Sequence, residues 1–319
     1  MKKLIALLLC LLLPASILAG CGTANKDADI KVVATIFPIY DWVKEVAQDD
    51  VDINIDVLMD NGVDLHSYQP SAQDIIDIGS CDVFIYVGGE SDKWVSDTLE
   101  QANNKDMVVI DLMDILGDKA KEEEAVEGMQ AEEEEEDADE PEYDEHVWLS
   151  LKNAELFVDK IADALAKVDS QHADDFKVNA KAYHGKLDEL DKQYQAAVDN
   201  ASVKTLLFGD RFPFRYLVDD YGLQYYAAFI GCSAESEASF ETISFLSGKV
   251  DELGLKTILQ IETSDGSIAK TIRDNTKTKD QQILTLDSLQ SVTTDRANNG
   301  ENYLSIMTSN LDVLKKALA

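Results

Sequence analysis

Two of the four histidines in this 319-residue chain stand where an imidazole can do chemistry. His146 lies in Asp144-Glu145-His146-Val147-Trp148, between a long acidic run and a strongly periodic helical stretch. A neutral imidazole beside carboxylates, just ahead of a helix, suits a ligand for a divalent transition cation. His66 lies in a loop after an alternating segment. His172 and His184 sit among Lys and Asp on a helical stripe and read as surface residues. Cys81 and Cys232 lack the spacing of a zinc ribbon, and sequence leaves open whether they pair. There is no useful phosphate-binding glycine loop, no GxSxG and no CxxC. The common signatures of nucleotide use and of acyl or redox chemistry are therefore missing.

The elements that must position these side chains alternate between strand and helix. Ile30 to Thr35, Val51 to Met59, Val83 to Val87 and Met107 to Asp111 read as strands. Helical patterns follow Pro38, Ser71 and Trp94, with Ser71 as an N-cap. Leu151 to Val168 has helical spacing, and about Gln171 to Val198 forms a second, longer helix spanning roughly 40 Å at 1.5 Å per residue. The rhythm then returns, with strands at Lys204 to Phe208 (breaking at Gly209-Asp210), Leu223 to Phe229, Thr257 to Ile261 and Gln282 to Leu286, and a closing helix from Asn302 to Leu318. The expected fold is α/β: two lobes of roughly four-stranded sheets flanked by helices, covering 30–168 and 201–319, joined by a linking helix over 169–200. An acidic insert over 118–145 interrupts the first lobe. Fifteen of the 24 residues from Glu122 to Glu145 are Asp or Glu, a density that predicts a solvated, mobile segment able to collect cations weakly.

Residues 1–20 read as a signal peptide, with Lys2-Lys3, an apolar stretch from Leu4 to Leu13, then Leu18-Ala19-Gly20-Cys21. The last four residues have the bacterial lipobox pattern, which predicts lipidation at Cys21, a tether over 21–29, and attachment to the extracytoplasmic face of the cell membrane. Two or more acyl chains make such anchoring stable. The formal charge of −34 repels nucleic acid and anionic lipid and attracts cations.

From Ile30 to the C-terminus the order of motifs resembles the substrate-binding lipoproteins of zinc and manganese ABC transporters. Asp64-Leu65-His66-Ser67-Tyr68-Gln69-Pro70 is similar to that family's His-x-Tyr-Glu-Pro segment. Glu145-His146-Val147-Trp148 is similar to its Asp-Pro-His-x-Trp segment, and Leu286-Asp287-Ser288-Leu289 matches the stretch where it keeps an aspartate ligand. Gly231 to Ser239 resembles its cleft loop. The resemblance implies a metal site between the lobes with His66, His146 and Asp287 as ligands. At the family's remaining ligand position, five residues before Tyr216, this chain has Arg211, which cannot bind a cation. Asp210 beside it is the expected substitute, with Glu235, Glu262, Cys232 or a water as alternatives.

Two imidazoles with two carboxylates admit zinc first and manganese second. The implied role is a monomeric binding protein that captures one divalent ion and passes it to an ABC permease, not an enzyme. Because the ligands must be deprotonated, affinity is expected to fall as pH drops through the imidazole range. Rival readings are a metallohydrolase using Glu145 or Glu262 as base, a binder of an organic metal chelate, and a surface adhesin.

Overall fold

The computed structural model describes residues 30–48, 51–60, 62–130, 142–233 and 237–319. Cys21, the expected signal peptide and Glu235 lie outside these residues. The first sheet is built from β1 (Ile30–Ala34), followed by helix α1 (Phe37–Ala47), β2 (Ile53–Val57), α2 (Ala72–Ser80), β3 (Val83–Tyr86), α3 (Trp94–Gln101) and β4 (Val108–Asp111), which runs into the short helix α4 (Leu112–Leu116). Helices α5 (Leu151–Val168) and α6 (Ala173–Asp199) come next. The second sheet comprises β5 (Thr205–Phe212), α7 (Arg215–Tyr221), β6 (Gln224–Ile230), α8 (Phe240–Leu253), β7 (Thr257–Ile261), α9 (Ser267–Asn275) and β8 (Gln282–Leu286), followed by α10 (Thr294–Asn298) and α11 (Tyr303–Ala317).

Both sheets are parallel and share one topology, β2-β1-β3-β4 in the first and β6-β5-β7-β8 in the second. Parallel pairing requires helical crossovers, which explains the alternation visible in the sequence. Successive side chains leave a strand on opposite faces. Ile30, Val32 and Ala34 of β1, Val83 and Ile85 of β3, Leu206 and Phe208 of β5, and Leu259 and Ile261 of β7 all enter one common apolar core. The intervening Val33 and Phe84 pack into an outer cluster on the first lobe, and Leu207 and Ile258 into another on the second. The lobes are thus two sheets whose inner faces meet a single core. Trp42 of α1 lies at its centre, 5.2 Å from the ring of Tyr303 and 5.7 Å from that of Phe157.

Helix α6, within the span expected to link the lobes, contacts both halves of the chain. Asn179 donates to the Val46 carbonyl of the first lobe at 3.0 Å, and Tyr194 donates to the Met307 carbonyl of the second at 2.6 Å. Two expectations need amendment. Strand β5 does not break at Gly209-Asp210 but continues to Phe212, with a register shift between Phe208 and Arg211. Gly209 permits this because a Cβ there would collide with the backbone of Ala269 in α9. The edges of the acidic insert are also seated rather than solvated. Glu122 bridges Tyr143, the Gln130 N–H donates to the Ala228 carbonyl at 2.9 Å, and Val126 and Met129 pack against the core. Residues 131–141 of the insert lie outside the described residues.

Candidate metal centre

The loops after the C-terminal ends of the parallel strands carry the chemistry-bearing groups, the usual location for ligands in α/β sheets. His66 sits in a single helical turn, Leu65–Ser67, after β2. Asp64 caps that turn by accepting the His66 N–H at 3.1 Å, and buried Leu65 anchors it. Downstream, Tyr68 donates to Asp74 at 2.7 Å, and Asp74 completes a capping box with Ser71 at the start of α2. His66 is therefore fixed from both sides. Its Nδ1 lies 2.8 Å from the Ser91 hydroxyl and 3.4 Å from Glu145 Oε2, while Glu145 Oε1 accepts the Ser91 N–H at 2.8 Å. Gly89 makes room for this carboxylate, since a Cβ at 89 would collide with it.

His146 is completely buried. Asp144 Oδ1 accepts its backbone N–H at 2.8 Å and stands 3.1 Å from its Nδ1. The Asp144 carbonyl in turn accepts from Tyr216 of α7 at 2.9 Å. On the other side Trp148 donates to the Ser288 carbonyl at 2.9 Å and Tyr303 donates to the Trp148 carbonyl at 2.7 Å. His146 is thus carried by the first half of the chain but held by the second. Burial alone would lower its pKa, yet Asp144 first, then Glu123 and Glu145, raise it. Burial likewise raises the carboxyl pKa of Glu145, but His66 and Ser91 hold it below the usual range.

With both Nδ1 atoms engaged, the two Nε2 atoms face each other at 3.4 Å. Two zinc–nitrogen bonds of about 2.0–2.1 Å at a tetrahedral angle place their nitrogens about 3.3–3.4 Å apart. The pair is therefore spaced as a chelating pair, and each ring is oriented through its other nitrogen as metal-binding imidazoles ordinarily are.

The second lobe brings Cys232 to this pair. Among the described residues, His66, His146 and Cys232 form the group whose donor atoms lie within 4.8 Å of one another. The other expected donors lie outside that group. Asp210 accepts the Arg211 N–H at 2.9 Å on one oxygen and the Ile261 N–H at 3.2 Å on the other. Asp287 accepts the Leu289 N–H at 2.8 Å and Arg296 at 3.2 Å, and its carboxyl pKa is raised by burial and by Glu262. Glu262 accepts from Ser288 and Ser291. Arg211 pairs across the cleft with Asp64 at 2.7 Å and donates to the Ser233 carbonyl at 3.2 Å. Arg215 pairs instead with Glu124 at 2.9 Å.

Cys81 and Cys232 are both free, with Cys81 buried against Met107. His172 and His184 pair locally with Asp169 and Asp159, as expected for helix-surface residues. Sequence reasoning gave no role to Ser91, Asp144 or Glu123. Asp144 was signalled by its place two residues before His146, whereas Glu123 is one glutamate among many.

A family model for ZnuA, the periplasmic component A of a zinc-uptake complex, matches residues 32–317. The zinc-binding lipoprotein AdcA of Streptococcus pneumoniae is 31% identical over 99% of this chain, which spans 61% of that protein's length. The high-affinity zinc uptake system protein ZnuA of Bacillus subtilis is 28% identical over 95% of this chain and 94% of its own. The crystal structure of the Zn(II)-bound ZnuA-like domain of S. pneumoniae AdcA superimposes with a TM-score of 0.71 at 29% identity, covering 91% of this chain and 98% of that domain. With its facing imidazoles set between two parallel sheets of like topology, this chain belongs to the ZnuA family.

Proposed function

We propose that this protein captures one zinc ion between its lobes and delivers it to an ABC permease, binding its cargo without turning it over. The observation that carries this reading is the Nε2–Nε2 separation of 3.4 Å, with both Nδ1 atoms already engaged. The named functions of AdcA and ZnuA support it. His66 and His146 are the nitrogen donors. Asp287 is the second-lobe carboxylate donor in this proposal, because Arg296 keeps Glu301 as a partner when Asp287 turns to the ion. Asp210 has the lesser part. Each of its oxygens already accepts a backbone N–H, so it braces the β5 end and retains only spare lone pairs for a cation. Manganese is the second cargo, bound more weakly at nitrogen donors. The lipobox supports a lipid anchor at Cys21 on the extracytoplasmic face, and the protein acts as a monomer.

Metal analysis of chelator-stripped, reloaded protein tests the reading. A 1:1 zinc load, lost in His66→Ala and in His146→Ala, is expected. Full loading of both variants overturns it.

A further inference from the structure

We infer that Cys232 is a thiolate ligand of the captured ion, so that the site is a nitrogen–sulfur centre and not one of imidazole and carboxylate alone. The inference rests on the zinc-binding reading above and goes beyond it by naming a soft donor from the second lobe. Three observations carry it. First, the Cys232 donor atom lies within 4.8 Å of those of both histidines. A zinc–sulfur bond of about 2.3 Å and a zinc–nitrogen bond of about 2.0–2.1 Å put S and N about 3.6 Å apart, so the thiol needs to move by only the order of 1 Å.

Second, the loop is built to approach this imidazole. Gly231 lies against the Phe212 carbonyl and the Cε1–Nδ1 edge of the His146 ring, the edge that Asp144 also meets, and a Cβ there would sit 3.0 Å from that carbonyl and 3.1–3.2 Å from those two ring atoms. Glycine at 231 thus delivers the next residue, Cys232, to the buried histidine. The Cys232 N–H is fixed by Glu123 Oε1 at 3.1 Å. Third, the buried Glu145 carboxylate stands 3.4 Å from His66 Nδ1 on an oxygen that takes no other partner, so negative charge backs the ring whose Nε2 faces His146.

On binding, the Cys232 S–H bond is replaced by a metal–sulfur bond, and the displaced proton leaves to water. Sulfur ligation favours zinc over manganese, because a thiolate is a soft donor.

The test is cobalt substitution in the full chain. Cobalt(II) bound to the wild-type protein is expected to show an intense near-ultraviolet sulfur-to-metal charge-transfer band. That band should vanish in Cys232→Ser and persist in Cys81→Ser. Zinc affinity should fall by about tenfold or more in Cys232→Ser, with manganese affinity changed by less than about twofold. Cobalt bound 1:1 without the band in the wild type, or a band that survives Cys232→Ser, overturns the thiolate assignment while leaving zinc capture standing. Failure of the wild type to bind either cobalt or zinc overturns both.

Discussion

The two lobes repeat one sheet topology but furnish their cleft loops differently. On the first lobe, Asp64, Ser91 and Glu145 converge on His66, and Asp144 holds His146. The nitrogen pair stands at chelating distance. On the second lobe, Asp210 is tied to backbone amides, Asp287 to Arg296, and Arg211 reaches across to Asp64. In the proposed site the histidine pair is held in place by both lobes, whereas the second lobe's carboxylates would have to exchange partners to reach the ion. A site built this way places most of its intrinsic affinity on one side and leaves the other to respond to occupancy.

The largest expected effect follows from that asymmetry. His146→Ala should abolish stoichiometric zinc binding in calorimetry, whereas Asp287→Ala should leave a weaker but measurable 1:1 isotherm. Equal loss in the two variants would break the comparison. Asp144→Ala comes next. It removes the group that orients the His146 ring, and zinc affinity should drop about 10–100-fold with the fold intact by circular dichroism. Arg211→Ala is expected to do less, since its pair with Asp64 spans the cleft and reaches His66 Nε2 only through Asp64 Oδ1, 4.0 Å away. An affinity change under about tenfold, with faster zinc release in stopped-flow chelation, would place the cleft-spanning Arg211–Asp64 pair on the second lobe's side of the contrast.

The smallest effect concerns stability behind the cleft. Burial pushes the Asp41 carboxyl up to about 7, against the opposing Tyr303 N–H that it accepts at 3.0 Å. The unfolded chain ionises this group near about pH 4. The folded form thus holds a proton that the unfolded form has lost. This contribution to stability is complete below about pH 4 and disappears as pH rises through about 7. Asp41→Asn keeps an oxygen for Tyr303 and should lose less Tm than wild type between pH 5 and pH 8. An identical pH slope in both proteins would remove Asp41 from the account.

Much of this was legible in sequence because its causes are local. The limits of Leu151–Val168 follow from apolar spacing and the Ser150 cap, which accepts the Asn153 N–H. His146 could be read from its neighbours, since Asp144 and Trp148 orient it from two residues away on either side. Cys232 could be read only as one alternative among several, because its selection depends on a glycine lying against a ring 85 positions earlier. Glu123 was hidden for a different reason. Within an acidic run every carboxylate looks alike, and only the fold of its flanks selects the one that meets the Cys232 amide. The continuation of β5 past Gly209 was equally invisible, since it is permitted by the close approach of α9.

The environment of Trp148 has an optical consequence. Its indole lies 5.2 Å from the His146 ring, with its N–H on the loop that carries Asp287. An ion bound at that imidazole changes the charge beside a fluorophore buried in the core. Emission should therefore shift with loading in the wild type and stay constant in Trp148→Phe, giving a label-free readout of cargo in real time.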